Sequence, residues 1–306
     1  MTSTAAPATR RRSRKAAEPT GTDRIPRSSQ GWYRVKGTDL KLRRVTTILE
    51  QGCSKGDALT FWAGNITAET AMNNLPYLVR ASLFPDQRTE AYDWLRRAHT
   101  RKKDERKDVG SAVHKVIEAN VLGTPMPADL LDDPELVPFL DHFLRFVEEW
   151  QVTFEASEMV VGNEEEGYAG TLDYLLRSPL IAAALAAYFG CDVPADAVFC
   201  GDTKTGGELD VKGVYPEASL QMAAYRNAKV AWLRDGMKVP MPSTFWAGVV
   251  LHLRPEGYRL IPAVADDAVF EAFLTVKRNA EWTSGLSKTV IRPALTLPTI
   301  AEERAA

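Results

Sequence analysis

The sequence predicts an α/β protein in which a central mixed sheet is flanked by helices, preceded by a mostly helical N-terminal region. Three observations carry this. Apolar residues Val109, Ala112, Val113, Val116 and Ile117 recur at helical spacing. Three runs of period two follow, at 158–162, 168–177 and 197–205. A further helical stretch then separates them from a last pair of strand-like runs, an order that places helices between strands of one sheet.

Residues 1–30 are rich in Ala, Thr, Ser, Pro and Arg without apolar periodicity and read as a disordered basic tail. From Trp32 the pattern changes: Tyr33-Arg-Val and Val45-Thr-Thr-Ile-Leu suggest short strands, or a strand and a helix start. Residues 56–75 and 87–106 read as helices, followed by the amphipathic helix Val109–Val121. After a Pro-rich loop, Thr124 to Pro134, another helix is expected over about 135–150. Leu180 to Ala187 reads as a short buried helix inserted between two strands. Pro216 suits a first helical turn, so a helix is expected over 216–233. Thr244–Leu253 and Tyr258–Val264 form a hairpin around Arg254-Pro-Glu-Gly, and a last helix spans about Asp266–Trp282. The expected organisation is a tail (1–30), a helical region (31–109), a core (110–290) and a loose end (291–306).

The chain has 306 residues, 45% apolar and 25% charged, which excludes collagen, coiled-coil rods and wholesale disorder. The apolar stretch Leu180–Phe189 is about half a membrane span, so no membrane partner is expected. No apolar segment follows the basic N-terminus, so a secretory signal is not expected. Three cysteines, Cys53, Cys191 and Cys200, do not make a disulfide framework, and the expected compartment is the cytoplasm. The net charge of −2 is unevenly divided: residues 1–44 hold twelve cations against three acids, a net +9 that leaves −11 for the remainder. A basic head of this kind fits either a polyanion partner or a solvated tail.

In Val198-Phe-Cys-Gly-Asp-Thr-Lys-Thr-Gly, strand alternation projects Asp202 and Lys204 together. Such a pair can hold a metal-bound water and stabilise a charged transition state, or be a surface ion pair. In Gly167-Tyr-Ala-Gly-Thr-Leu-Asp-Tyr-Leu-Leu, Asp173 sits among apolar residues, where a carboxylate wants a cation: a metal, or Lys204. His114, in Gly110-Ser-Ala-Val-His, falls just past the edge of its helix's apolar stripe, with Glu118 a turn later. The i, i+4 spacing of Gln221 and Tyr225 stacks an amide over a phenol.

In order, Gly-x-x-x-His, Gly-Thr-x-Asp, Asp-x-Lys-Thr-Gly and Gln-x-x-x-Tyr resemble the PD-(D/E)XK nuclease superfamily. The similarity is to its RecB-like branch, which includes CRISPR-associated exonucleases and phage relatives. Arg44-Val-Thr-Thr-Ile-Leu and Lys55-Gly-Asp-Ala-Leu-Thr-Phe-Trp-Ala look like the head of that branch, and the resemblance spans roughly residues 40–280. It implies a restriction-endonuclease-like core and a metal-dependent DNA exonuclease acting in replication, recombination or repair. A silent DNA-binding scaffold on the same fold and a restriction-type endonuclease are the alternatives.

The resemblance further implies that His114, Asp173, Asp202 and the Thr203 carbonyl bind Mg²⁺ or Mn²⁺. Lys204 would orient the attacking water or stabilise phosphorane charge, its pKa lowered by cations and raised by the carboxylates. Gln221 and Tyr225 would position Lys204 and the DNA backbone, with Glu158 an outer group. Relatives with an iron–sulfur cluster use four cysteines; three cannot supply them, so no cluster is expected. No Gly-x-x-x-x-Gly-Lys-Ser/Thr loop is present, so a helicase would be a separate chain. A recombinase or annealing protein is the other partner the resemblance suggests. The cytoplasm in question would be bacterial, or the host's for a phage-encoded chain. DNA contacts are expected from the basic head and from Arg96, Arg97, Arg101, Lys102, Lys103, Arg106 and Lys107, with Trp62 and Trp94 as stacking or core aromatics.

Overall fold

A computed structural model describes residues 20–296, except 55, 128–129, 131–132 and 210–212. Most of the tail expected over 1–30 therefore lies outside the described residues, as do 297–306. Residues 21–24 form a 3₁₀ turn and Arg27–Ser29 a strand, β1, so the described end of that tail is ordered. Trp32–Arg34 (β2) and Lys41–Arg44 (β3) complete a ribbon, and helix α1 (Val45–Gly52) follows directly.

Helices α2 (Ala58–Asn73), α3 (Leu75–Ser82) and α4 (Pro85–Arg96) come next. The two helices expected over 87–106 and 109–121 divide elsewhere. The break is at Arg97, and α5 runs unbroken from Ala98 to Leu122 to a left-handed Gly123 at φ 62°. The basic run and His114 therefore share one helix. After α6 (Val137–Glu149), strand β4 covers Thr153–Asn163, longer than expected, while β5 covers the expected Tyr168–Arg177.

The insert is α7 (Pro179–Phe189), started by Ser178, whose hydroxyl accepts from the Ile181 amide, and ended by a left-handed Gly190. Ile181, Ala182 and Leu185 are buried while Tyr188 is exposed, so it is buried on one face rather than throughout. Strand β6 is Phe199–Lys204. Helix α8 is only Glu217–Arg226: the expectation of 216–233 fails because Asn227 turns the chain. Val230–Trp232 (β7) then pairs with β4, and Lys238–Pro240 (β8) with β7. The hairpin β9 (Ala247–Arg254) and β10 (Gly257–Val264) and helix α9 (Asp267–Ser284) follow as expected.

The ten described strands form one open mixed sheet with β5 at its hub. One edge of β5 pairs with β4 along its length. The other is shared: β3 pairs in parallel at Tyr168 and Ala169, and β6 pairs antiparallel at Tyr174 to Leu176. Between these two ladders the edge at 170–173 is unpaired by either. β6 continues in parallel beside β9.

Two apolar layers cover the sheet. Tyr168, Leu172 and Leu175 pack with Val45, Ile48, Met222, Tyr225 and Phe273 on one side. Tyr174 and Leu176 pack with Val113, Ile117, Phe143 and Ile181 on the other. Strict alternation would give Leu172 and Tyr174 the same face. β5 therefore shifts its alternation at Asp173. On β4, Ala156 and Met159 share the first layer although they are three apart, and between them Glu158 adopts a left-handed φ of 48°. The hairpin is kinked in both strands at one level.

Gly201 faces the Tyr174 ring so closely that a Cβ there would lie 2.1 Å from Cε2. Replacing Gly201 by Ala forces a fully buried ring to move, and a loss of about 1–3 kcal/mol is expected in urea unfolding.

Candidate active site

The site lies where β5 and β6 part. A cleft of about 500 Å³ opens there, bounded by α5, by the kinked hairpin and by the end of β6. The Asp173 carboxylate occupies the gap between the strands, where its Oδ2 accepts from the Thr203 amide at 2.7 Å. A side chain thus takes the place of the missing ladder partner. The Thr203 hydroxyl turns away to Tyr174 Oη at 3.0 Å, leaving the backbone of Thr203 toward the cleft it lines.

α5 reaches this point because Val113 and Ile117 anchor its apolar face. One turn before His114, Gly110 lets the loop after β6 come near: a Cβ would sit 3.1 Å from Thr205 Oγ1. His114 Nδ1 then stands 3.6 Å from Asp173 Oδ2 and 3.8 Å from Glu158 Oε1, both longer than hydrogen bonds. One donor atom from each of His114, Glu158 and Asp173 lies within 4.8 Å of the others.

Beside them, the Asp202 side chain is 3% exposed. Lys204 Nζ donates to its Oδ1 at 2.8 Å, and Gln221 Nε2 donates to the same oxygen at 3.0 Å. Nζ also lies 2.6 Å from Oδ2, but off the line of a hydrogen bond, so Oδ2 is buried with none. Gln221 Nε2 further donates to Tyr225 Oη at 3.2 Å, joining both residues of the i, i+4 pair to the acid. Tyr225 fits only because residue 170 is glycine: a Cβ there would lie 2.3 Å from its ring. The Gly of Gly-Thr-x-Asp thus makes room for the Tyr of Gln-x-x-x-Tyr.

The electrostatics follow from this crowding. Burial alone would lower the His114 pKa, but Asp173 and then Glu158 outweigh it and raise it to about 9. Burial pushes the Asp202 carboxyl up; Lys204 pulls it down without cancelling the shift, and Asp173 adds to it. For Lys204, burial acts downward, but Asp202 and Asp173 prevail, so its pKa is raised and the carboxylates decide the sign. Burial holds Tyr225 well above the usual phenol range, so its oxygen receives the Gln221 amide as a neutral phenol.

The structure brings together His114, Asp173, Asp202, Thr203, Lys204, Gln221 and Tyr225. It also moves Glu158 from an outer group to a direct neighbour of His114. Asp173 does not pair with Lys204, which goes to Asp202.

Of the expected DNA contacts, Lys107 lines the cleft. Arg96 pairs with Asp93, Lys102 with Glu105, and Arg101 donates to the Trp94 carbonyl and covers its ring. Arg97 and Lys103 are exposed, and Arg106 lies over half-buried Trp62. Sequence reasoning missed Lys115, in the cleft wall, and Arg234, which bonds Glu118 at 2.9 Å from the β7–β8 turn. No sequence signal tied Arg234 to α5, since β7–β8 was itself unforeseen. No protein-family model matches the chain, and no curated protein matches it.

A non-glycine residue in left-handed backbone costs about 1–2 kcal/mol. Glu158→Gly and Glu158→Ala both remove the carboxylate, but only glycine relieves φ. The Gly variant should be more stable than the Ala variant by about 1 kcal/mol in chemical denaturation.

His114 should make stability depend on pH in metal-free solution. Its folded pKa, about 9, exceeds the unfolded value of 6.5, so its contribution is full below pH 6.5 and fades as pH rises through 9. The Tm advantage of wild type over His114→Gln in EDTA should follow that course.

Proposed function

We propose that this cleft is the active centre of a metal-dependent deoxyribonuclease with a restriction-endonuclease-like core, acting on DNA ends. The observation that carries the reading is the convergence of His114, Glu158 and Asp173 on one point of the cleft, beside the buried Asp202 carboxylate. Carboxylates gathered in a partly buried place repel one another, and a cation removes that cost. Three carboxylates and one imidazole form a hard donor set suited to Mg²⁺ or Mn²⁺.

His114, Asp173 and Asp202, with the Thr203 carbonyl and Glu158, would hold such an ion. When bound it supplies charge neutralisation at a phosphate and activation of water. The protein's own groups do the rest. Lys204, kept cationic by its carboxylate neighbours, offers its ammonium to the charge that develops on the phosphate. Gln221 fixes Asp202 by donating to its Oδ1, and Tyr225 fixes Gln221. Lys107 and Lys115 at the cleft wall attract the phosphodiester backbone. The Gln221–Tyr225 pair favours the exonuclease reading over a restriction-type one.

The test is release of labelled nucleotides from linear and covalently closed circular DNA, with Mg²⁺, Mn²⁺ or EDTA. Linear DNA alone should be digested, only with metal, and Lys204→Ala should lower the rate by about 10²-fold or more. Cleavage of closed circles would make it an endonuclease. DNA binding without cleavage under either metal would make it a scaffold.

A further inference from the structure

The ribbon β1–β3 carries a charge pattern that the cleft does not use. Its registers put Arg27, Arg34 and Lys41 in one cross-strand row and Ser29, Trp32 and Arg43 in the next. Partners across a ladder and alternate residues along a strand share a face, so all six lie on one side. Tyr33 and Leu42 point the other way and are buried. The outer side therefore presents four cations around one indole. Lys41 Nζ lies 4.1 Å from the Trp32 ring centre and the Arg43 guanidinium 5.5 Å from it.

Neighbouring strands are about 4.8 Å apart, and like charges placed directly opposite are destabilising. Little within the described residues offsets this. Arg27 meets Asp23 at 3.4 Å on the open surface. Arg43 donates to Gln51 and Ser284, which are neutral. Among the described residues no ion pair engages Arg34 or Lys41. Protection of a sheet edge does not account for the row, because of the three ribbon strands β1 alone lies at the edge of the sheet and Arg34 and Lys41 sit on the two strands inside it. A partner with closely spaced negative charges does account for it.

We propose that the outer side of the β1–β3 ribbon binds the phosphate backbone of DNA beyond the cleft. The choice of DNA among polyanions rests on the reading of the cleft given above; the surface itself does not. Arg10, Arg11, Arg12, Arg14 and Lys15 precede the ribbon in the sequence and lie outside the described residues.

The test is binding of the full chain to a fluorescent linear duplex in EDTA across a range of NaCl concentrations, comparing wild type with Arg34→Gln/Lys41→Gln. Loss of two phosphate contacts should make the slope of log K against log salt shallower by about 1.8 and weaken low-salt binding by about tenfold or more. Tm should hold or rise, because two like charges have been removed, which separates lost binding from misfolding.

An unchanged slope overturns the ribbon and leaves the cleft untouched. Wild type that binds here but cleaves linear DNA with neither Mg²⁺ nor Mn²⁺, with the slope change in the variant, overturns the cleft reading and keeps the ribbon. Polyglutamate that competes as well as DNA, with the same sensitivity to the substitutions, reassigns the surface to an acidic protein and overturns the proposal. Wild type that binds no DNA overturns both.

Discussion

One hydrogen bond organises the centre of this protein: the Thr203 amide donating to the Asp173 carboxylate. β5 and β6 pair for three residues and then part, which would strand the backbone amide of a buried residue. A backbone donor left unpaired in the interior is costly. A side chain from the next strand satisfies it, and by doing so draws a carboxylate into the crevice between two strands. Across the opening that results, His114 faces both Asp173 and Glu158 from a separate helix. Remove the parting and the strands would zip together, leaving no room for a cleft.

The surroundings of that bond concentrate features that oppose stability. Glu158 is held in left-handed backbone, and the buried Asp202 carboxylate has Asp173 as a like-charged neighbour. Each is the kind of local conflict that a fold tolerates when the rest of the structure over-determines it. Here two apolar layers do so, gripping the hairpin from both sides above and below the kink. Glycines do quieter work in the same place. Gly170 and Gly201 are flat spots against which Tyr225 and Tyr174 lie, so the rings fix the positions of the groups that the acids depend on.

Much of this was legible in the sequence where pattern and spacing speak directly. The period-two run of β5 has the bounds it was expected to have, and the Asp202–Lys204 and Gln221–Tyr225 pairs meet as strand and helix geometry require. What was not legible depends on pairing at a distance. Val230-Ala-Trp continues the apolar pattern of α8, and only its ladder with β4 makes it a strand. The stretch 99–108 lacks apolar spacing, so nothing in it showed that the helix expected over 87–106 breaks at Arg97 and then runs on past 107–108. Pairs such as Lys102 with Glu105 and the apolar face from Val109 onward carry it. Glu158 was undervalued because a carboxylate at its position matters only once β4 and β5 are in register and kinked together.

α5 has 25 residues, which at 1.5 Å each makes a rod of about 37 Å with no proline in it. Its first half is largely exposed and carries most of the cations; its second half is clamped in the core by Val113, Val116 and Ile117 and carries His114. The two halves are one mechanical body. The helix is therefore a fixed ruler: the distance from any cation along it to His114 is set by residue count, and is the same whatever rests on the exposed end.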